Sequence, residues 1–235
     1  MVHYKPLKDK FGDGMCCHAG EGHFAVKMGD REILRGGRFR EETRYTIQVA
    51  PNYDRGLSAR DQSWLDGHNT RRRKYHREFG GSYVPLQWSP QLAASALGWA
   101  NELTKDCMVA GIDHEQGIEY GENMAKNVGS GGFGQLYPTE NVMGRWVEKE
   151  RHVGYPRNAH FTQAVWRASK YVGCGESHKT FNNGRTHCRI QVCRYARSGN
   201  CNMGAHKASQ GNNWIAPMMA DGSKCGAECA PEGCY

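Results

Sequence analysis

The sequence predicts a mixed α+β fold in which helices precede and flank a small antiparallel sheet, and three stretches carry that prediction. "SPQLAASALGWANELTKDC" opens with Ser89 as an N-cap and Pro90 at the first helical position. Leu92, Ala96, Trp99 and Leu103 then mark one apolar face. "ENVMGRWVEKERHVGY" repeats a helical pattern through Val142, Met143, Trp146, Val147 and Val153. "YVGCG" and "HCRIQVCRYA" are short, rich in branched and aromatic residues and separated by "NNG", as two antiparallel strands joined by a turn would be.

The other segments follow in chain order. Residues 1–57 are rich in Gly, Arg, Glu and Lys and form an extension of uncertain order, whose one strand-like piece is "RYTIQVA" at 44–50. From Ser58 onward, Trp64, Leu65, His68, Tyr75 and Phe79 fall roughly at helical spacing, and "GG" at 80 and 81 stops the run. The charge run "RRRK" at 71–74 is expected on a solvated face of that helix. "GSGGFG" at 129–134 matches a G-x-G-x-x-G pattern. With no predicted strand before it and no acidic residue at the required distance after it, a mobile glycine-rich loop fits better than a dinucleotide site. Past residue 203 the chain is polar, loop-like and rich in cysteine, a stapled tail over 204–235. The 235 residues thus hold one main domain, 58–203, between two extensions.

Ten cysteines suggest a disulfide framework made in an oxidising compartment, so the chain reads as secreted. No apolar h-region opens the sequence and no window approaches a membrane span, so the expectation is a signal that has been removed or lost from this version. Cys225, Cys229 and Cys234 lack paired C-x-x-C knuckles, and disulfides are expected there rather than zinc. Cys16 and Cys17, as neighbours, cannot easily bridge each other. Lysine and arginine number 31 against 24 acidic residues, a net charge of +7 that favours anionic surfaces; a nucleic-acid partner is not expected.

Polar residues in apolar settings are the candidates for chemistry: His114 in "GIDHEQGIEYGENMA", Glu122 eight residues later, and His160 at the start of "HFTQAVWRASKYVGCG". Taken singly, each histidine could be a hydrogen-bonded core residue and the glutamate a helix cap. The blocks "GENMA", "HFTQAVW", "YVGCG" and "CRYARSGN" nevertheless follow one another as do the signatures of the CAP superfamily, which holds cysteine-rich secretory, antigen 5 and pathogenesis-related 1 proteins. "HNTRRRKY" at 68–75 and "VPLQWSPQLAASALGWANELTKDC" at 84–107 extend the resemblance to roughly residues 58–203. Ala159 departs from it, standing where glycine usually precedes the histidine.

The resemblance implies a three-layer α/β/α sandwich whose cleft presents two histidines and two glutamates: His114, Glu122, Glu150 and His160. The third position is open between two residues, because the family's usual glutamate position holds Lys149. Glu150, with Val147 and Met143 three and seven back, is preferred, and Glu148 is the reserve. Neutral imidazoles suit a divalent ion, zinc above all, and carboxylates would complete the shell or orient the rings. The resemblance also implies the disulfides Cys174–Cys193 and Cys107–Cys188, and leaves Cys201 and the tail cysteines to their own arrangement. The expected function is a secreted, defence-related, monomeric protein that binds a metal and a lipid, sterol or anionic cell-surface component. A metal-assisted hydrolase of peptides, or a scaffold for a protein partner with a purely structural tetrad, are the alternatives.

Overall fold

The computed structural model describes residues 56–108, 111–130, 136–201, 203 and 214–220, and the backbone of four strands nearer the amino terminus. Those four strands belong to a separate compact unit, Met1–Tyr53. In it β1 (Leu7–Lys8) pairs with β4 (Glu42–Thr43), and β2 (Phe24–Met28) with β3 (Arg31–Gly36), both antiparallel. These strands are not singled out by the sequence, which leaves residues 1–57 of uncertain order; the strand-like 44–50 segment, Cys16 and Cys17 lie outside the described residues.

The second unit, Asp54–Tyr235, holds a four-stranded sheet of order β5-β7-β8-β6. Its strands are β5 (Gln87–Trp88), β6 (Gly121–Gly129), β7 (Tyr171–Phe181) and β8 (Thr186–Ala196). All pairs are antiparallel except β5 with β7. Helix α2 (Pro90–Lys105) covers one face, where Ala96 and Ala100 pack on Met124, Ile190 and Val192. Helices α1 (Ala59–Glu78), α3 (Thr139–Met143) and α4 (Ala159–Ala164) supply the core of the other face, with Trp64, Tyr75, Met143, Trp146 and Phe161 beside Ala125, Val172 and Cys193. This is the α+β sandwich expected.

Local chemistry sets the helix limits. Ser58 caps α1 by accepting from the Asp61 N–H at 3.0 Å, and Gly80, at φ +80°, follows its end. Ser89 caps α2 through the Leu92 N–H at 3.1 Å, with Pro90 in the first turn. The expected long helix around Trp146 is shorter: α3 passes into a π-helical turn, Gly144–Lys149, that ends at Glu150 and leaves Val153 outside.

Two glycines of "YVGCG" explain how α2 and β7 approach so closely. A Cβ on Gly173 would lie 2.2 Å from the Ala93 nitrogen, and one on Gly175 2.1 Å from the Leu97 nitrogen, so only hydrogen fits against the helix backbone. Gly175→Ala should therefore force the helix off the sheet and cost about 2–3 kcal/mol, typical of overpacking. A urea midpoint within error of wild type would refute this.

Four expectations need correction. "RRRK" is not a solvated run, since Arg71 and Arg72 are buried and only Arg73 and Lys74 are exposed; the helical period puts 71 and 72 on the same face as Trp64, His68 and Tyr75. The segment "GENMAKNVG" is strand β6, which removes the helix-cap alternative for Glu122 and means that a strand does precede the glycine-rich segment. Residues 131–135 of that segment lie outside the described residues. The tail is not wholly loop-like: α5 (Ile215–Met219) places Trp214 and Met218 in the main core, and the Met218 carbonyl accepts from the Arg167 N–H at 3.0 Å.

The disulfides Cys107–Cys188 and Cys174–Cys193 are those the resemblance implied. The first ties the end of α2 to β8, and the second joins residues directly opposite in the β7–β8 ladder. Cys201 is also disulfide-bonded; Cys225, Cys229 and Cys234 lie outside the described residues.

Candidate functional site

The start of β6, an edge strand, organises the four sequence-derived residues into two pairs. Glu122 accepts from the Nδ1–H of His114 at 2.8 Å, and its side chain is almost fully buried while the His114 ring is 60% exposed. On the second pair, Glu150 accepts from the His160 Nδ1–H at 2.6 Å and from the His160 backbone N–H at 3.1 Å. The neighbouring Asn123 joins the pairs, since its Nδ2 donates to the His160 carbonyl at 3.0 Å. Successive strand residues face opposite ways, so the two pairs straddle the free edge of the sheet at Glu122 and Asn123.

Each pair is held from behind. His160 stacks on Trp146 at 5.9 Å between centroids, and the Trp146 indole N–H donates to the Met124 carbonyl of β6 at 3.1 Å. The π-helical turn leaves Glu150 at the helix end facing His160, whereas Glu148 lies with Glu140 around the Arg71 guanidinium. Arg194, on β8 opposite Glu122, is a buried cation that pairs with Glu115, bonds Ser95 of α2 and lies 3.4 Å from Glu122 Oε2. The hydrogen bond to Glu122 raises the His114 pKa above its ordinary value, because the carboxylate favours the imidazolium.

A second line of hydrogen bonds runs from α1 to the same place. The His68 Nδ1–H donates to the Trp64 carbonyl at 2.7 Å, His68 Nε2 accepts from the Tyr195 hydroxyl at 2.7 Å, and Asn123 reaches that hydroxyl at 3.2 Å. Sequence reasoning missed the roles of Asn123, Arg194, Glu115 and Tyr195. Their signal was position: Asn123 stands next to Glu122 in "GENMA", and Arg194 and Tyr195 stand in "CRYA".

These residues suit a divalent ion in donor chemistry. Both carboxylates hold an Nδ1–H, which fixes the tautomer that carries a lone pair on Nε2. Among the described residues the buried Oε2 of Glu122 has no hydrogen-bond partner, although the Arg194 guanidinium stands 3.4 Å from it. Among the described residues, no three His, Cys, Asp or Glu side chains gather closely enough to hold a metal ion.

The profile described as the cysteine-rich secretory protein family (CAP) matches residues 65–195. Pathogenesis-related protein 1A of Nicotiana tabacum is 34% identical over 147 residues, 59% of this chain and 76% of that protein. Pathogenesis-related protein 1 of Arabidopsis thaliana is 35% identical over 152 residues, 61% of this chain and 81% of that one. Among solved structures, NaASP2 with Zn2+ aligns at a TM-score of 0.46 and 21% identity, covering 63% of this chain and 84% of that one. MpPR-1i aligns at 0.44 and 19%, covering 66% and 96%.

Proposed function

We propose a function for a chain that belongs to the cysteine-rich secretory protein family: an extracellular, defence-type protein whose histidine–glutamate cleft takes up one divalent ion, zinc in the first instance. The observation that carries the metal assignment is the pair of carboxylate-held imidazoles, His114 on Glu122 and His160 on Glu150. Two buried disulfides support the oxidising compartment, and the pathogenesis-related relatives support the defence role. The partner in this reading is a lipid, sterol or anionic cell-surface component, and a net charge of +7 supports its anionic forms. Among the described residues no helix is long and apolar enough to cross a membrane.

In this reading Glu122 and Glu150 orient the rings through Nδ1 and leave Nε2 as the lone-pair nitrogen, Trp146 stacks on His160, and Asn123 anchors its backbone. Zinc, when bound there, supplies a Lewis acid with open positions. Melting curves with and without zinc test the assignment. At a hundredfold excess over Kd, binding to the folded state alone adds about 2.7 kcal/mol, a rise of several degrees for a domain of this size. His114→Ala and His160→Ala should each lose that rise; equal rises in wild type and both variants would sink the metal assignment. Co-sedimentation with vesicles containing anionic phospholipid and sterol tests the partner separately, and no binding at low salt would remove it.

A further inference from the structure

We propose that the far end of the β7–β8 hairpin is a second metal site, in which His178 and His187 chelate one late first-row divalent ion, copper(II) ahead of nickel(II), apart from the cleft. His178 lies opposite Arg189 and His187 opposite Thr180, so the two rings are diagonal neighbours on one face of the sheet. Their rings stack at 5.1 Å with an interplanar angle of 21°, and His178 Nε2 stands 2.9 Å from His187 Nδ1. Both residues are partly exposed, which lets water complete a coordination shell.

The paired imidazoles point to the class of ion, and the 2.9 Å between their nitrogens, an ordinary hydrogen-bond length, is also short enough for one metal to bridge. Two nitrogens at ~2.0–2.1 Å from one metal and at right angles to each other lie about 2.9 Å apart, whereas a tetrahedral angle needs about 3.3 Å. The right angle is the tetragonal arrangement that copper(II) and nickel(II) prefer, and copper stands highest in the affinity order. Burial first, then the nearby His187 and Arg189, hold the His178 pKa below its ordinary value, so this ring is neutral at pH 7. Binding therefore requires only that the shared hydrogen-bond proton move to the other nitrogen of the donor ring. Arg189 opposes any cation here, a cost that the imidazole–metal bonds must offset.

The site is independent of the cleft. Strand β6 runs from Gly121, opposite Tyr195, to Gly129, opposite His187, and at ~3.3 Å per residue its ends are roughly 25 Å apart. Removing the cleft histidines should leave the hairpin pair intact.

The test uses a full-length His3→Ala/His114→Ala/His160→Ala variant, in which the amino-terminal histidine and both cleft rings are gone. Calorimetric titration with copper(II) chloride at pH 7.5 should show one equivalent bound, with electron paramagnetic resonance showing imidazole nitrogen coupling. Adding His178→Ala or His187→Ala should weaken that uptake at least tenfold, with circular dichroism confirming the fold; His178→Gln, which keeps a polar side chain, should behave as His178→Ala does. Absence of stoichiometric copper in the parent variant, or unchanged affinity in any of the three derived variants, would overturn the site whatever the cleft binds.

Discussion

Lowering the pH from about 7.5 to about 4.5 should cost this domain several kcal/mol of stability, with His68 and His76 as principal causes. Both rings are fully buried, and burial favours the neutral form of each. Since a carbonyl only accepts, His68 carries a proton on Nδ1 toward Trp64, and the neutral ring then accepts from Tyr195 at Nε2. By the same logic His76 donates from Nε2 to the Val165 carbonyl at 2.9 Å and accepts at Nδ1 from the Val84 N–H at 3.1 Å. Burial lowers each pKa from 6.5 to about 4. The unfolded chain therefore binds protons first: the stabilisation is fully present above about pH 6.5 and is lost as pH falls toward 4, on the order of 2–3 kcal/mol per ring at pH 4.5. Urea midpoints at the two pH values measure the loss, and NMR should show no titration of the His68 ring between pH 7.5 and 5. A flat midpoint, or a His68 resonance that titrates near 6.5, would refute the assignment.

Replacing Arg72 by methionine should destabilise the fold by about 3–4 kcal/mol, a large share of a typical domain's margin. Its guanidinium is fully buried and, among the described residues, has no carboxylate partner. It donates instead to the carbonyls of Val84 at 2.9 Å, Trp166 at 2.6 Å and Ser169 at 3.1 Å, with Ala164 and Arg167 each at 3.4 Å. Those carbonyls bring the loop before β5 and the loop between α4 and β7 to one point on α1. Burial lowers the Arg72 pKa to about 9, so the ring of carbonyls holds a cation that desolvation opposes. Arg72→Lys should recover only part of the loss, because one ammonium cannot serve a planar fork of acceptors. Denaturant unfolding with an unchanged m-value would measure both, and a loss under about 1 kcal/mol for Arg72→Met would show that the clamp contributes little.

Some of this molecule was legible because the signal was local. Ser89 and Pro90 define the start of α2 within a few residues, and the "NNG" turn becomes a real reversal in which Asn182 and Asn183 take positive φ. Other parts were hidden because distant groups supply their partners. Strand β6 carries Glu122, Asn123 and Asn127, which look unlike a core strand. Asn123 is buried nonetheless, held by the His160 carbonyl and the Tyr195 hydroxyl. Arg71 looked like a solvated charge until Glu140 and Glu148, some seventy positions away in the chain, closed around it. Trp214 and Met218 sit in a polar stretch whose burial depends on a pocket beside Phe79 and Phe161.

The amino-acid sequence by itself determined the family, the start of α2 and the β7–β8 hairpin, because short-range spacing and residue type carry these, and its signature blocks offered His114, Glu122 and His160 as candidates. Tertiary structure decided which carboxylate faces which imidazole. Glu148 and Glu150 are two residues apart in the chain, yet a π-helical turn and the packing of Trp146 send one to Arg71 and the other to His160. It also decided that His178 and His187 share a hydrogen bond, since nine residues of separation become 2.9 Å only through the register of two paired strands. The physical reason is common to both cases: a side chain's partner is set by backbone direction and by what packs behind it, and neither is local to the residue that carries the chemistry.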